Sequence, residues 1–94
     1  MLSYRVTVLG RFLQALEPER AARFRDQLRS YEASAGAARD PQLGNFEVLM
    51  TVTAETEPLA RSLARAVVAS SLYDVGFSVE TAPIDSVDTS TPSG

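Results

Sequence analysis

The sequence predicts an α+β domain in which two helices pack on one face of a three- or four-stranded sheet. Two segments, near residues 4–12 and 46–53, alternate apolar and polar side chains as half-buried strands do. Each is followed by a segment that opens on Glu-Pro and continues as a helix. Because 94 residues can enclose only one core, we expect a single domain over residues 1–84 and a disordered tail over residues 85–94.

The alternation gives each strand a core face and a second face. In the first strand the core face comprises Tyr4, Val6, Val8 and Gly10, and the second face comprises Arg5, Thr7, Leu9 and Arg11. In the second strand the core face comprises Phe46, Val48, Met50 and Val52, and the other comprises Glu47, Leu49, Thr51 and Thr53. The position of the second strand after a helix predicts a parallel crossover to the first.

The first helix is predicted to begin at Pro18 and to run to about Ala33. Proline suits the first helical position, because its missing N–H would be unpaired there in any case. The predicted apolar stripe comprises Ala21, Phe24, Leu28, Tyr31 and Ala35. Most of the arginines lie off this stripe, on the solvent side.

The second helix is predicted to begin at Thr56 or Glu57, with Pro58 in its first turn, and to continue through Leu59, Leu63, Ala66, Val67 and Ser70. Gly76 would end it in a left-handed conformation. A last strand is then expected to begin with Phe77, Val79 and Thr81 and to stop at Pro83, since proline cannot donate to a sheet ladder.

Two β-α units in tandem, closed by a further strand, predict the split β-α-β arrangement of a two-layer ferredoxin-like sandwich. Residues 34–45 read as a loop or a poor edge strand. If residues 38–43 pair with the sheet, the order is βαββαβ, and otherwise the sheet has three strands.

Composition excludes several classes of chemistry. The chain has no His, Cys, Trp or Lys, which removes imidazole catalysis, thiol nucleophiles, Schiff bases, disulfides and common zinc sites. We expect no cofactor, no metal and no enzymatic activity. A formal charge of -3 disfavours nucleic-acid binding, and no apolar run is long enough for a membrane span. We expect a cytoplasmic protein.

A two-layer domain leaves one sheet face uncovered, and here that face mixes leucines with charges of both signs. Its predicted interface residues are Arg5, Thr7, Leu9, Arg11, Glu47, Leu49 and Thr51, with Ser78, Glu80 and Ala82 added from the last strand. The face could be merely solvated, with Arg5 paired across strands to Glu47 or Glu80. Alternatively it packs on a second copy, because self-complementary patches generate two-fold dimers. It lacks the aromatics of an RNA-binding sheet.

A second candidate surface for a protein partner is the first helix, which carries Arg20, Arg23, Arg25 and Arg29. Pairing of Glu19 with Arg23 and of Asp26 with Arg29 would neutralise much of its charge.

The run Tyr4-Arg5-Val6-Thr7-Val8-Leu9-Gly10-Arg11, followed by a helix, the strand Phe46-Glu47-Val48-Leu49-Met50-Thr51-Val52 and a second helix, resembles an ACT-type regulatory domain. The resemblance covers most of the chain and implies amino-acid binding at a dimer interface. The Asp/Asn-x-x-Gly turn of that family is replaced by Phe12-Leu13-Gln14-Ala15, so no binding residue is carried over. The layout is also similar to small proteins of unknown role in high-GC bacteria and their phages.

The leading hypothesis is therefore a non-enzymatic interaction or assembly module that forms a homodimer through the open sheet face. The first alternative is an ACT-like regulatory domain that binds a small ligand between the loop after the first strand and the partner subunit. The second is a small enzyme of the dimeric ferredoxin-like type, working through tyrosine or carboxylates without histidine.

Overall fold

The computed structural model describes residues 2–14, 17–30, 34–36 and 45–90 of the chain. Its elements are β1 (Leu2–Arg11), α1 (Pro18–Ser30), β2 (Ser34–Gly36), β3 (Asn45–Ala54), α2 (Glu57–Asp74) and β4 (Ile84–Ser90). The strands form one four-stranded sheet in the order β2-β3-β1-β4, and every neighbouring pair is antiparallel. This α+β arrangement is compatible with a ferredoxin-like sandwich.

The two long strands, β1 and β3, confirm the predicted alternation. Val6 and Val8 of β1 are buried, as are Phe46 and Val48 of β3, and the residues between them face the other way. These core-facing side chains belong to the same cluster as the buried residues of both helices. The alternation thus correctly separated the face of β1 and β3 that is packed from the one that is not.

The predicted parallel crossover between the first two long strands is wrong. β3 runs antiparallel to β1, with Val8 opposite Val48 and Arg11 opposite Asn45. The reason is that β2, and not β3, is the strand that follows α1. β2 pairs antiparallel with the outer edge of β3, so β2 has the same direction as β1 and β3 has the opposite one. β2 lies at Ser34–Gly36, and residues 38–43, the predicted alternative edge strand, lie outside the described part of the chain.

Helix α1 begins at Pro18, as predicted, and is described to Ser30, while residues 31–33 lie outside the described ranges. Phe24 and Leu28 are its buried residues, and Ala21 is half-buried. The predicted helix start and the central part of its apolar stripe are therefore confirmed.

Helix α2 has defined caps at both ends. The Thr56 side chain accepts a hydrogen bond from the backbone N–H of Leu59 at 3.3 Å, which identifies Thr56 as the N-cap. At the other end Gly76 has φ = 93°, its N–H donates to the carbonyl of Tyr73, and the N–H of Phe77 donates to the carbonyl of Leu72. This pair of bonds is a Schellman motif, so the predicted glycine cap is confirmed.

The core-facing side of α2 is built from small residues. Its buried residues are Ala60, Ala64, Val68, Ser71 and Leu72, whereas Leu59 and Leu63 are exposed. Alanine at two successive turns lets the helix backbone approach the sheet closely, which leaves no room for the leucines on that side.

All four phenylalanines of the chain meet in the core. The Phe12 ring lies 5.0 Å from those of Phe46 and Phe77 and 6.1 Å from that of Phe24, measured between centroids. Gly10 is paired directly opposite Phe46, and a Cβ placed on Gly10 would lie 2.1 Å from Cζ of that ring. The absence of a side chain at Gly10 is therefore what allows the Phe46 ring to occupy its position.

The predicted last strand is wrong, and so is the predicted disorder of residues 85–90. Phe77 is buried, and it opens a turn segment that reaches Pro83, with Ala82 also buried. The last strand, β4, comprises Ile84–Ser90 and pairs with β1 over residues 5–10 of that strand. Pairing with β1 gives this Ser/Asp/Thr-rich segment backbone partners that its local composition does not reveal. Residues 91–94 lie outside the described part of the chain.

Candidate functional site

The side of the sheet opposite the core is the candidate interaction surface, here called the open face. Its residues are Arg5, Thr7, Leu9 and Arg11 of β1, Glu47, Leu49 and Thr51 of β3, and Asp85, Ser86, Asp88 and Ser90 of β4. All the interface positions predicted on β1 and β3 are thus brought together on one surface. The predicted Ser78, Glu80 and Ala82 are not part of it, because they lie in the turn segment before β4.

The register places two exposed leucines near the centre of the open face. Leu49 is opposite Thr7, and Leu9 is opposite Glu47, so the two leucines are diagonal neighbours on adjacent strands. Diagonal side chains are about 7–8 Å apart, within reach of each other for long residues. Leu9 is 36% exposed and Leu49 is 45% exposed. Together they form an apolar centre that no described part of the chain covers.

Charges of both signs surround these leucines. Arg11 Nε donates to both carboxylate oxygens of Asp85, at 2.9 and 3.3 Å. Arg5, Glu47 and Asp88 have no ion-pair partner among the described residues. The open face therefore offers one internally paired couple and three charges that remain available to a partner.

The predicted cross-strand pairing of Arg5 with Glu47 or Glu80 is wrong. Arg5 is opposite Thr51 on one side and Ser90 on the other, while Glu47 is opposite Leu9. Glu80 lies in the turn before β4 and outside the ladder.

A bulge in β4 explains how Asp85 reaches Arg11. Leu9 pairs with Ser86, but Gly10 pairs with Ile84, so Asp85 is the extra residue in the ladder. The extra residue lets the Asp85 carboxylate reach Arg11 on the open face while Ile84 remains packed against the core.

A shallow depression of ≈ 470 Å³ crosses this surface beside Leu49. It is lined by Arg5, Val6, Thr7, Leu49, Met50, Thr51 and Ser90. The open face is therefore not flat, and a protruding side chain of a partner could be received between β1 and β3.

The residues of β4 were the part of this surface that the sequence analysis missed. The available signal was weak: Ile84, Val87 and Thr89 face inward, but the bulge makes the first spacing three residues instead of two. A strict search for alternation does not find such a strand.

The four arginines of α1 that were predicted to bind a partner have different surroundings. Arg20 lies over the Phe77 ring at 5.3 Å from its centroid, and Arg29 pairs with Asp26 at 3.7 Å, while Arg23 and Arg25 are exposed. The predicted Asp26–Arg29 pair is confirmed. The predicted Glu19–Arg23 pair is not formed.

Within the described ranges, no group of three acidic side chains converges as a metal ion would require. Neither α1 nor α2 combines the length and apolarity needed to cross a bilayer.

Fold and surface together define a small α+β domain with a mixed polar and apolar open face. The chain matches no family model, and no curated protein or solved structure is significantly similar to it.

Proposed function

We propose that this chain is a non-enzymatic protein-interaction or assembly module, a two-layer ferredoxin-like sandwich that forms a homodimer through its open face. The observation that carries the proposal is the exposed pair Leu9 and Leu49 at the centre of that face. Burying each leucine removes apolar surface from water at about 25 cal/mol per Å². A second copy offers the same apolar centre in return.

The size of the open face is sufficient for a modest dimer. With a strand spacing of about 4.8 Å and a rise of about 3.4 Å per residue, the paired region spans roughly 500 Å² on each copy. Two such faces would bury about 1,000 Å², near the lower limit for specific interfaces. We therefore expect a reversible dimer whose population depends on protein concentration.

The charges of the open face favour a second copy over a partner whose surface charges all have the same sign. Unpaired Arg5 on β1 and unpaired Glu47 and Asp88 on β3 and β4 put both signs on one surface. In a two-fold dimer each charge can meet an opposite charge of the other copy, because both copies present the same patch. A strongly acidic or basic partner would be repelled by part of this surface.

The test is the solution mass by light scattering over a range of concentrations. We expect a mass near twice 10.2 kDa at high concentration, and a monomer for Leu49→Glu and Leu9→Glu. Leu63→Glu on α2 is the matched control, since Leu63 is 43% exposed and Leu49 is 45% exposed. This control should dimerise as the unmodified chain does.

Two results would contradict the proposal. One is a monomer at every concentration up to about 1 mM, which would place the association free energy weaker than about -4 kcal/mol. The other is a dimer that persists in both open-face variants, which would assign the interface to another surface.

A further inference from the structure

The strand β4 has a free outer edge. The sheet order is β2-β3-β1-β4, so β4 pairs with β1 on one side, and no described strand pairs with its other side. After the bulge at Asp85, residues 86–90 pair with β1 in an uninterrupted register. The outer side of such a strand presents unpaired backbone N–H and C=O groups, which can form a further ladder with an extended segment of another chain.

Helix α2 lies alongside this edge and runs in the opposite direction to β4. The Glu57 carboxylate, at the start of α2, accepts a hydrogen bond from the Thr89 hydroxyl, near the end of β4. Further along α2, Arg61 and Arg65 line a groove together with residues 85–87, near the start of β4. A strand added to β4 would therefore run next to the side chains of both arginines.

This groove, here called the edge groove, has a volume of ≈ 420 Å³. Both of its arginines are exposed, and neither has an ion-pair partner among the described residues. The carboxylate of Asp85, which also lines the groove, is already bonded to Arg11. The edge groove therefore offers two positive charges that its own lining does not compensate. The lining residues are Pro58, Arg61, Ser62, Arg65, Asp85, Ser86 and Val87.

The spacing of Arg61 and Arg65 matches that of alternate residues in a strand. Four residues of a helix rise by about 6 Å, and two residues of a strand rise by about 6.8 Å. Side chains at positions i and i+2 of a strand lie on the same face. Two acidic side chains with that spacing could therefore each meet one of the arginines.

We propose that the edge of β4 binds an extended acidic segment of another protein, which adds a strand to the sheet. Its Asp or Glu residues at positions i and i+2 lie against Arg61 and Arg65. The backbone ladder holds the segment, and the two charge-assisted contacts select its sequence. The residue between the two acids faces the same side of the sheet as Asp88, so we expect it to be neutral or basic.

A second copy of the chain suits this edge less well than an acidic segment does. In a two-fold pairing of β4 with β4, both α2 helices would lie on the same side of the joined sheet. The unpaired arginines of the two copies would then approach one another, which is unfavourable.

The proposal does not depend on the dimer through the open face. The open face and the edge groove meet at Asp85 and Ser86, but Leu49 lies on one side of the sheet and α2 packs on the other. A face-to-face dimer leaves the outer edge of β4 accessible.

The experiment selects random 12-residue peptides displayed on phage against the full chain. Peptides that also bind the double variant Arg61→Gln, Arg65→Gln are removed. Both side chains are exposed, so the variant should keep its fold, which far-UV circular dichroism checks. We expect the selected peptides to be enriched in Asp or Glu at positions i and i+2, with a neutral or basic residue between them. The strongest is then synthesised with a fluorophore and measured by fluorescence anisotropy.

Binding of that peptide should weaken at least about tenfold in Arg61→Gln, Arg65→Gln, because two charge-assisted contacts are lost. The matched control is Arg23→Gln, Arg25→Gln on α1, which removes the same charge from two other exposed positions. At physiological salt this control should weaken binding by less than about twofold, since distant exposed charges are screened.

The backbone ladder is tested separately from the charges. Alternate N–H groups of a strand point to the same side, so one peptide is N-methylated at its odd positions and another at its even positions. Only one of the two peptides carries its methyl groups on the N–H groups that face β4. That peptide should bind at least about tenfold more weakly, because its ladder hydrogen bonds are lost, and the other should bind as the unmethylated peptide does.

Four results would overturn the proposal. They are selection of no peptide, selection of peptides without paired acidic residues, equal weakening by the α1 control, and unchanged binding of both methylated peptides. Leu49→Glu should bind the peptide as the unmodified chain does, and a loss there would instead place the peptide on the open face. Because light scattering reports dimerisation separately, failure here leaves the proposed dimer standing, and failure of the dimer leaves this site standing.

Discussion

Neighbouring residues of β1 lie in two different environments. Val6 and Val8 are 1% and 0% exposed and pack against the helices, whereas Arg5 and Leu9, one position away, face outward on the sheet. The core face is apolar and contains a glycine where an aromatic ring needs space. The open face mixes leucine, hydroxyl and charge. Core residues and residues of the proposed interface thus alternate along β1, and substitutions at adjacent positions should have separable consequences.

Substitutions in β3 should give the largest difference in unfolding free energy between the core face and the open face. Phe46→Ala removes a ring that is 2% exposed and lies 5.0 Å from that of Phe12, so the free energy of unfolding should fall by about 3–5 kcal/mol. Leu49→Ala, on the open face, should change it by less than about 1 kcal/mol. Urea denaturation followed by circular dichroism at low protein concentration measures both. Similar losses in the two variants would contradict the assignment of the faces.

A smaller effect is expected from adding one methyl group at Gly10. In Gly10→Ala the Cβ would lie 2.1 Å from Cζ of Phe46 and 2.6 Å from the Pro83 carbonyl oxygen, so we expect a loss of about 1–3 kcal/mol in unfolding free energy. Adding Phe46→Leu should make the further loss from Gly10→Ala smaller, because the ring contact is gone, but the contact with the Pro83 backbone remains. A neutral Gly10→Ala would show that β1 and β3 separate more easily than the register implies.

The smallest expected effect is an increase in the free energy of unfolding. Ser71 of α2 is 0% exposed, and its hydroxyl has no hydrogen-bond partner among the described residues. Ser71→Ala should therefore raise the free energy of unfolding by about 1 kcal/mol. The control is Ser90→Ala, which removes an exposed hydroxyl bonded at 3.4 Å to the Arg5 carbonyl, and should change stability by less than about 0.5 kcal/mol. Thermal unfolding distinguishes them, and a destabilised Ser71→Ala would mean that the core uses this hydroxyl.

The elements that the sequence predicted well are those whose pattern is local. β1 and β3 alternate without interruption, and the caps of α2 depend on Thr56 and Gly76 alone. β4 was not predicted, because its alternation is interrupted. The bulge at Asp85 breaks the period of two, and Ile84 and Val87 are only partly buried. The prediction that Phe77 begins a strand was wrong. An apolar residue that follows the glycine at the end of a helix is typical of a Schellman motif as well as of a strand, and the sequence does not distinguish the two.

The candidate site follows the same division. Its positions on β1 and β3 could be predicted, because alternation alone decides which way a side chain faces. Asp85 and Asp88 could not, since their place depends on pairing with β1.

The position of β4 beside β1 also affects how the protein can be made. The Arg11–Asp85 pair joins residues that are 74 positions apart in the chain. At a synthesis rate of about 5–20 residues per second, β1 would leave the ribosome roughly 4–15 s before the strand that covers its outer edge is complete. During that interval the nascent chain exposes an unpaired strand edge, the kind of surface that invites wrong pairing between chains. The growing polypeptide should therefore need protection from its neighbours until residues near Ser90 have emerged.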